Sequence, residues 1–350
     1  DKTGQPISGL PNPKAFGGTN EIPYDVNGEP MTEDPSKPYD PETNPVKTDL
    51  NGLDPEGLAA LNDGTFWVSD EYGPHLVHYD AQGVEIERIN PFSTDTRNTV
   101  TVEGKTLLLP AEFAKRRTNR GMESLTITPD QTTLVGLMEA SMDNPDKQGR
   151  KSTLTRLVTV NLVTGKIAQY LCRLEAVNHV NSALAAISEQ QFYVAEHDRE
   201  FPWQRPSAKK LINKIDLAKA TNINDFEGVT ENAEKSDLSV TLTQNEQLGL
   251  LINGVTLEQL IAEDEKNWQL LAKLGIYPVE KTLAVDVLAT IDYPHDKLEG
   301  VWLRQDGSIG LLNDDDFAMN DSDKGVEHKY LDADKTVIDG NRLYVVVPKV

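Results

Sequence analysis

The chain has 350 residues, 38% of them hydrophobic and 26% charged, and carries a formal net charge of -22. Such an excess of carboxylates argues against nucleic acid or an anionic membrane surface as the main partner; it fits a protein that collects cations or stays soluble in salty water. Cys172 is the single cysteine, so no intrachain disulfide forms, and no apolar run approaches the roughly 18 residues of a membrane span.

Residues 1–50 are rich in Pro, Gly, Asn and Asp, including Gly17-Gly18-Thr19-Asn20, and show little periodicity. We expect an extended strap over a folded body, anchored by Ile22, Pro23, Tyr24, Val26 and Tyr39. The chain opens at Asp1 rather than Met, which we read as a processed form, exported to the periplasm or secreted.

From Leu53 onward short strands dominate, and one hairpin design recurs four times. The first copy runs from Pro55-Glu56-Gly57-Leu58 through the turn Asn62-Asp63-Gly64 to Phe66-Trp67-Val68-Ser69-Asp70-Glu71. A further hairpin follows, Leu76–Tyr79 and Val84–Ile89 about the Asp80-Ala81-Gln82-Gly83 turn. The second copy joins Glu123-Ser124-Leu125 to Leu137-Met138-Glu139, and a hairpin over Leu154–Leu174 follows it. The third runs from Ser182-Ala183 to Glu196-His197-Asp198. Leu257, Leu260, Ile261, Trp268, Leu271 and Leu274 stand near helical spacing, predicting an inserted helix over about 256–275, a lid or a buttress, with Thr256 as N-cap and Gly275 as stop. The fourth copy joins Glu299-Gly300-Val301-Trp302 to Asn313-Asp314-Asp315. Trp67 and Trp302 are expected in the core. Asp321-Ser322-Asp323-Lys324-Gly325 loosely resembles a calcium loop.

A hairpin recurring along the chain predicts an all-β fold, a β-propeller of six blades with seven as the alternative, over residues 51–350. The innermost strands of a propeller line one axis, so carboxylates at equivalent points converge there. They could not all stay ionised without a counter-charge, and Ca²⁺, which takes six to eight oxygens in flexible geometry, answers that need. The candidate ligands are Glu56, Asp70, Glu123, Glu139, Glu196, Glu299, Asn313 and Asp314, with Asp70 or Glu71 to activate water. His197, between Glu196 and Asp198, is a candidate acid or base. Positive charge is scarce, which draws attention to Arg120, Arg199 and Arg205, with His75, as contacts for an anionic substrate. No Gly-x-Ser-x-Gly elbow or His-Glu-x-x-His motif occurs.

Asp54-Pro55-Glu56-Gly57-Leu58, Ser69-Asp70-Glu71-Tyr72-Gly73-Pro74, Asn119-Arg120-Gly121-Met122-Glu123 and Leu298-Glu299-Gly300 through Asn313-Asp314-Asp315 resemble the "esterase-like activity of phytase" family, over about Leu53 to Phe317. Ser124 stands where the repeat usually has Gly, Ser182-Ala183 replaces Glu-Gly, and Asp225-Phe226-Glu227-Gly228-Val229 is a candidate displaced copy. The resemblance implies a propeller, calcium dependence and hydrolysis of phosphate or other esters. We therefore expect a monomeric, calcium-dependent phosphomonoesterase acting on a small anionic ester, without nucleic acid or membrane insertion. A calcium-dependent lactonase or carboxylesterase, and a non-catalytic calcium-stabilised propeller, are the alternatives.

Overall fold

The computed structural model describes residues 1–18, 22–25, 27–226, 240–322 and 325–348. Within them the fold is all-β with few helices, built from several antiparallel sheets. Three sheets have four strands: Pro55–Ala60 to Glu85–Ile89, Ser124–Ile127 to Ile167–Arg173, and Val180–Ala186 to Lys210–Asp216 completed by Glu280–Asp286. A fourth has three strands, Gly300–Leu303, Ile309–Leu312 and Leu343–Val346. The first strands of the four sheets lie side by side in succession.

Strand alternation sorts the residues between faces. Ala59, Trp67 and Leu76 of the first sheet pack against Leu125, Leu134 and Val158 of the second. Val135 and Leu157 of the second meet Leu184, Phe192 and Val194 of the third, together with Cys172, whose thiol burial pushes up to about 12. Ala183, Ala195 and Ile212 of the third meet Ile309, Leu311 and Val346 of the fourth. Three apolar layers thus alternate with four sheets. The outer face of the first sheet is covered by Ile7 over Val68, Val77 and Tyr79, whereas Trp302, Leu312, Leu343 and Val345 leave the outer face of the fourth exposed. Trp302 is therefore not a core residue: it is 40% exposed and lies across Gly310, its cross-strand partner.

The N-terminal segment follows the body; Ile22, Pro23 and Tyr39 are half-buried, and further groups hold it. Asn12 donates to the carbonyls of Asp49, Leu50 and Gly52, and its Oδ1 meets His75 Nε2 at 2.8 Å. Tyr72 donates its hydroxyl to Gly9 O, and Phe16 packs edge-on against Phe92. Tyr24 is exposed, and Val26 lies outside the described residues.

The inserted helix is two helices, α1 (Leu257–Glu263) and α2 (Asn267–Lys273). Thr256 and Gln259 form a capping box at the start of α1, and Gly275, at φ +79°, follows α2. Asp264 breaks the run by taking an extended conformation and accepting from Lys266 N. Their apolar faces cover Leu154 and Leu171 of the second sheet, and Glu258 on α1 is ion-paired with the buried Arg156. The pair is a buttress for that sheet. Among the described residues no helix is long and apolar enough to cross a membrane. Glu227, Gly228 and Val229 of the candidate fifth copy, and Asp323 and Lys324 of the calcium-like loop, lie outside the described residues.

Candidate metal centre at the meeting point of the sheets

The registers align the four hairpins residue by residue. Each closes on one cross-strand pair: Ala60 with Phe66, Ile127 with Leu134, Ala186 with Phe192, Leu303 with Ile309. Four residues back lie Glu56, Glu123, Ser182 and Glu299. Five residues on from the second member lie Glu71, Glu139, His197 and Asp314. Asp70, Met138, Glu196 and Asn313 precede these by one, so strand alternation turns them to the other face.

The carboxylates at these positions meet. Oxygens of Glu71, Glu123 and Glu139 lie within 4.8 Å of one another, and so do those of Asp54, Glu56 and Glu71. Glu71 belongs to both groups and joins the first sheet to the second. Two glycines make the approach possible. A Cβ on Gly121 would stand 2.4 Å from Glu71 O, and one on Gly57 would stand 2.3 Å from Leu125 N.

Electrostatics follow from the crowding. Burial first, and then the charges of Glu139, Glu56 and Glu71, push the Glu123 carboxyl well above its ordinary value. Glu139 is raised in the same way, by burial and by Glu71 and Glu299, against the opposing pull of Arg120. Glu56 reaches solvent at the rim, yet withdrawal from water and repulsion by Glu71, Asp54 and Glu299 bring it to about 9. Glu299 is raised to about 7 by burial, tempered by Lys297. Without a cation the crowding favours the protonated forms.

Cationic side chains ring the cluster. Arg120 NH1 donates to Glu139 Oε2 at 3.1 Å, and Arg199 NH2 lies 3.4 Å from Glu139 Oε1. Arg199 adopts a left-handed backbone at φ +64°, and its buried Nε lacks a hydrogen-bond partner among the described residues. Lys297 bridges Glu299, Asp314 and Asp316 at 3.5, 2.8 and 2.7 Å. His197 is fully buried; its Nδ1 accepts from Arg199 N, and its Nε2 has no partner among the described residues. Burial, then the charges of Lys210 and Lys297, hold its pKa well below the usual imidazole value, so the ring is neutral.

The structure thus brings together Glu56, Glu71, Glu123 and Glu139, with Glu299 beside them, and flanks them with His197, Arg120 and Arg199. Other candidates are engaged elsewhere. Asp70 is fully buried and accepts from Asp54 N and Gly73 N, bracing the loop before the first strand. Glu196 does the corresponding work in the third sheet, accepting from Glu175 N and His179. Asn313 accepts from Arg342 N, whereas Asp314 stays at the cluster, beside Glu299 and bridged to it by Lys297. Arg205 pairs with Glu200 at 3.4 Å, and His75 holds the N-terminal segment. Two groups escaped the sequence reading: Asp54, whose signal was its place one residue before Pro55-Glu56, and Lys297, two before Glu299.

A secreted protein of Arthroderma benhamiae, described as uncharacterized, is 34% identical over 115 residues, 28% of this chain and 22% of that protein, so the aligned stretch spans about a fifth of the relative's length. Among solved structures, a protein of unknown function from Bacteroides caccae overlaps 85% of this chain and 81% of its own at 11% identity and a TM-score of 0.30. Streptogramin B lyase overlaps 73% of this chain and 89% of its own at 9% identity and a TM-score of 0.18. Overlaps this loose carry no argument about the fold. The phytase-like family model, described as "esterase-like activity of phytase" and suggesting a hydrolase-like function, matches residues 24–317, and the chain belongs to that family.

Proposed function

We propose that the chain is a calcium-dependent phosphomonoesterase whose sheets are blades of a β-propeller and whose site lies where their first strands meet. The observation that carries the reading is the pair of overlapping carboxylate groups centred on Glu71. Their donors are all carboxylate oxygens, the set a hard divalent cation takes, and their mutual repulsion is relieved by one. Asp54, Glu56, Glu71, Glu123 and Glu139 would hold the ion. When bound, Ca²⁺ supplies positive charge that polarises a phosphoryl oxygen.

The chain's own residues supply the rest. Arg120 and Arg199 flank Glu139 and orient the remaining phosphoryl oxygens through charge-assisted hydrogen bonds. Glu299 stands outside both carboxylate groups and is held by Lys297, which suits it to accept the proton of the attacking water. Asp70 is unsuited to that task, because its two oxygens already accept backbone N–H groups. Neutral His197 offers its Nε2, which has no partner among the described residues, beside the arginines as a further contact to the ester. Export to the periplasm or the medium is part of this reading, supported by the secreted relative.

The test is release of phosphate from an aryl phosphate by metal-stripped protein with and without added Ca²⁺. Calcium-restored release, lost in Glu123→Gln, supports the reading. Restored cleavage of a lactone or aryl acetate in its place would move the site to carboxylic esters. No turnover, with calcium raising the melting temperature, would leave a non-catalytic metal centre.

A further inference from the structure

A second constellation lies in the third sheet and shares no residue with the carboxylate cluster. A cavity of about 400 Å³ opens there, lined by His179, Lys209, Leu211, Asn213, Lys281 and Leu283 among others. Buried Glu196 organises it. Its Oε1 accepts from Glu175 N at 2.7 Å and from His179 Nδ1 at 2.9 Å; its Oε2 accepts from Lys281 Nζ at 2.9 Å and Asn213 Nδ2 at 3.3 Å.

That arrangement fixes the imidazole. A carboxylate accepts only, so His179 Nδ1 carries a proton, and in the neutral imidazole the lone pair is on Nε2. Nε2 has no hydrogen bond to a described residue, and the ring lines the cavity. Lys281 has its three N–H bonds engaged, by Glu196, Glu175 Oε1 at 2.8 Å and Arg173 O at 2.6 Å, and so positions Glu196. Lys209 is exposed at the cavity wall, and its ammonium forms no ion pair with a described residue. Leu211 and Leu283 supply an apolar wall.

We propose that this cavity is a metal-independent site for hydrolysis of a small carboxylic ester bearing an anionic group. His179 is the general base and Lys209 the anchor for the anion; Glu196 is a positioning residue. A bracing role alone would use Glu196 and Lys281 and would leave the imidazole lone pair and the free ammonium without a task. In the reaction a water proton passes to His179 Nε2 as the water oxygen bonds to the ester carbonyl carbon. The bond from that carbon to the leaving oxygen then breaks, and the proton on Nε2 passes to the leaving oxygen. Ester and water become acid and alcohol, and the imidazole returns neutral.

The experiment uses the full chain stripped of metal by a chelator, with 4-carboxyphenyl acetate as the anionic probe and phenyl acetate as the neutral one. The expected result is saturable hydrolysis of the anionic ester, slower in D₂O, with kcat/KM at least tenfold lower in His179→Gln. Exposed His328→Gln leaves that rate unchanged, which separates the cavity from adventitious imidazole catalysis. Lys209→Ala raises KM for the anionic ester and not for the neutral one; should His179→Gln fail to fold, this variant decides. Hydrolysis without saturation, an unchanged rate in folded His179→Gln, or an unchanged KM in Lys209→Ala would overturn the proposal. Phosphate release in the presence of Ca²⁺ is read separately and bears only on the axial cluster.

Discussion

Glu71 and Glu123 come from different sheets, yet their carboxylate oxygens lie within 4.8 Å of each other, beside the point where Gly121 meets the Glu71 backbone. Gly121→Ala would drive a methyl group to 2.4 Å from Glu71 O, backbone that cannot swing aside. We expect a loss of about 1–3 kcal/mol in a urea melt, as for an over-packed core, together with weaker calcium binding in a titration. Unchanged values for both would show that the two strands do not need this approach.

The metal-free protein should become less stable as pH rises. Glu123 and Glu139 hold their protons in the folded state far above the unfolded value of about 4.3. Between those limits the folded chain binds more protons than the unfolded one, so unfolding gains with pH. Glu299, at about 7, and Glu56, at about 9, extend the window through neutrality. Scanning calorimetry at pH 5, 6.5 and 8 after chelation should give a falling melting temperature. Added Ca²⁺ should remove the slope, and Glu123→Gln should flatten it without calcium.

Glu196 has the opposite sign. Burial works against its ionisation, but hydrogen bonds from His179, Lys281 and Glu175 N outweigh it and hold its pKa below the ordinary value. Its contribution is present above the unfolded value and is lost as pH falls through the folded one. Glu196→Gln leaves Lys281 without its buried carboxylate and should cost about 3 kcal/mol at pH 7, with the difference from wild type shrinking towards pH 3. An equal difference at both pH values would dismiss the ion pair as its source.

Arg199 separates stability from substrate contact. Its left-handed backbone, φ +64°, favours glycine, while its side chain faces Glu139. Arg199→Gly should keep or slightly raise the unfolding midpoint while raising KM for an aryl phosphate about tenfold, the size of one lost charge-assisted hydrogen bond. A KM equal to wild type would place the arginine outside the substrate's reach.

The repeated hairpins were legible because strand, turn and strand recur with similar spacing, and Glu56, Glu123 and Glu299 fall where the repeat put them. Which carboxylate ends the second strand was not. Counting 14 residues from Glu56 and from Ser182 lands on Asp70 and Glu196, one short of Glu71 and His197. The same count from Glu299 lands on Asn313, one short of Asp314, although that hairpin pairs without a register shift, so the offset is one of spacing that composition does not announce. The break at Asp264 was hidden for a different reason. Apolar spacing continues across it, and only the local bond from Asp264 to Lys266 N ends α1. Asp54 and Lys297 were hidden because their partners, Glu71 for one and Asp314 and Asp316 for the other, come beside them only when the two strands of each hairpin pair.

The third sheet is completed from far along the chain. Its strands Lys210–Asp216 and Glu280–Asp286 are neighbours, yet residues 217–279 intervene, and apolar side chains of that insertion's described residues cluster with Leu154 and Leu171 of the second sheet. Relative to a tight turn, closing a loop of that length costs about 2 kcal/mol in chain entropy before any pairing rewards it. The cost falls once α1 and α2 have docked and shortened the effective loop. We therefore expect the insertion to settle on the flank of the second sheet before the outermost strand of the third sheet finds its place, an order that pulsed hydrogen exchange during refolding would check.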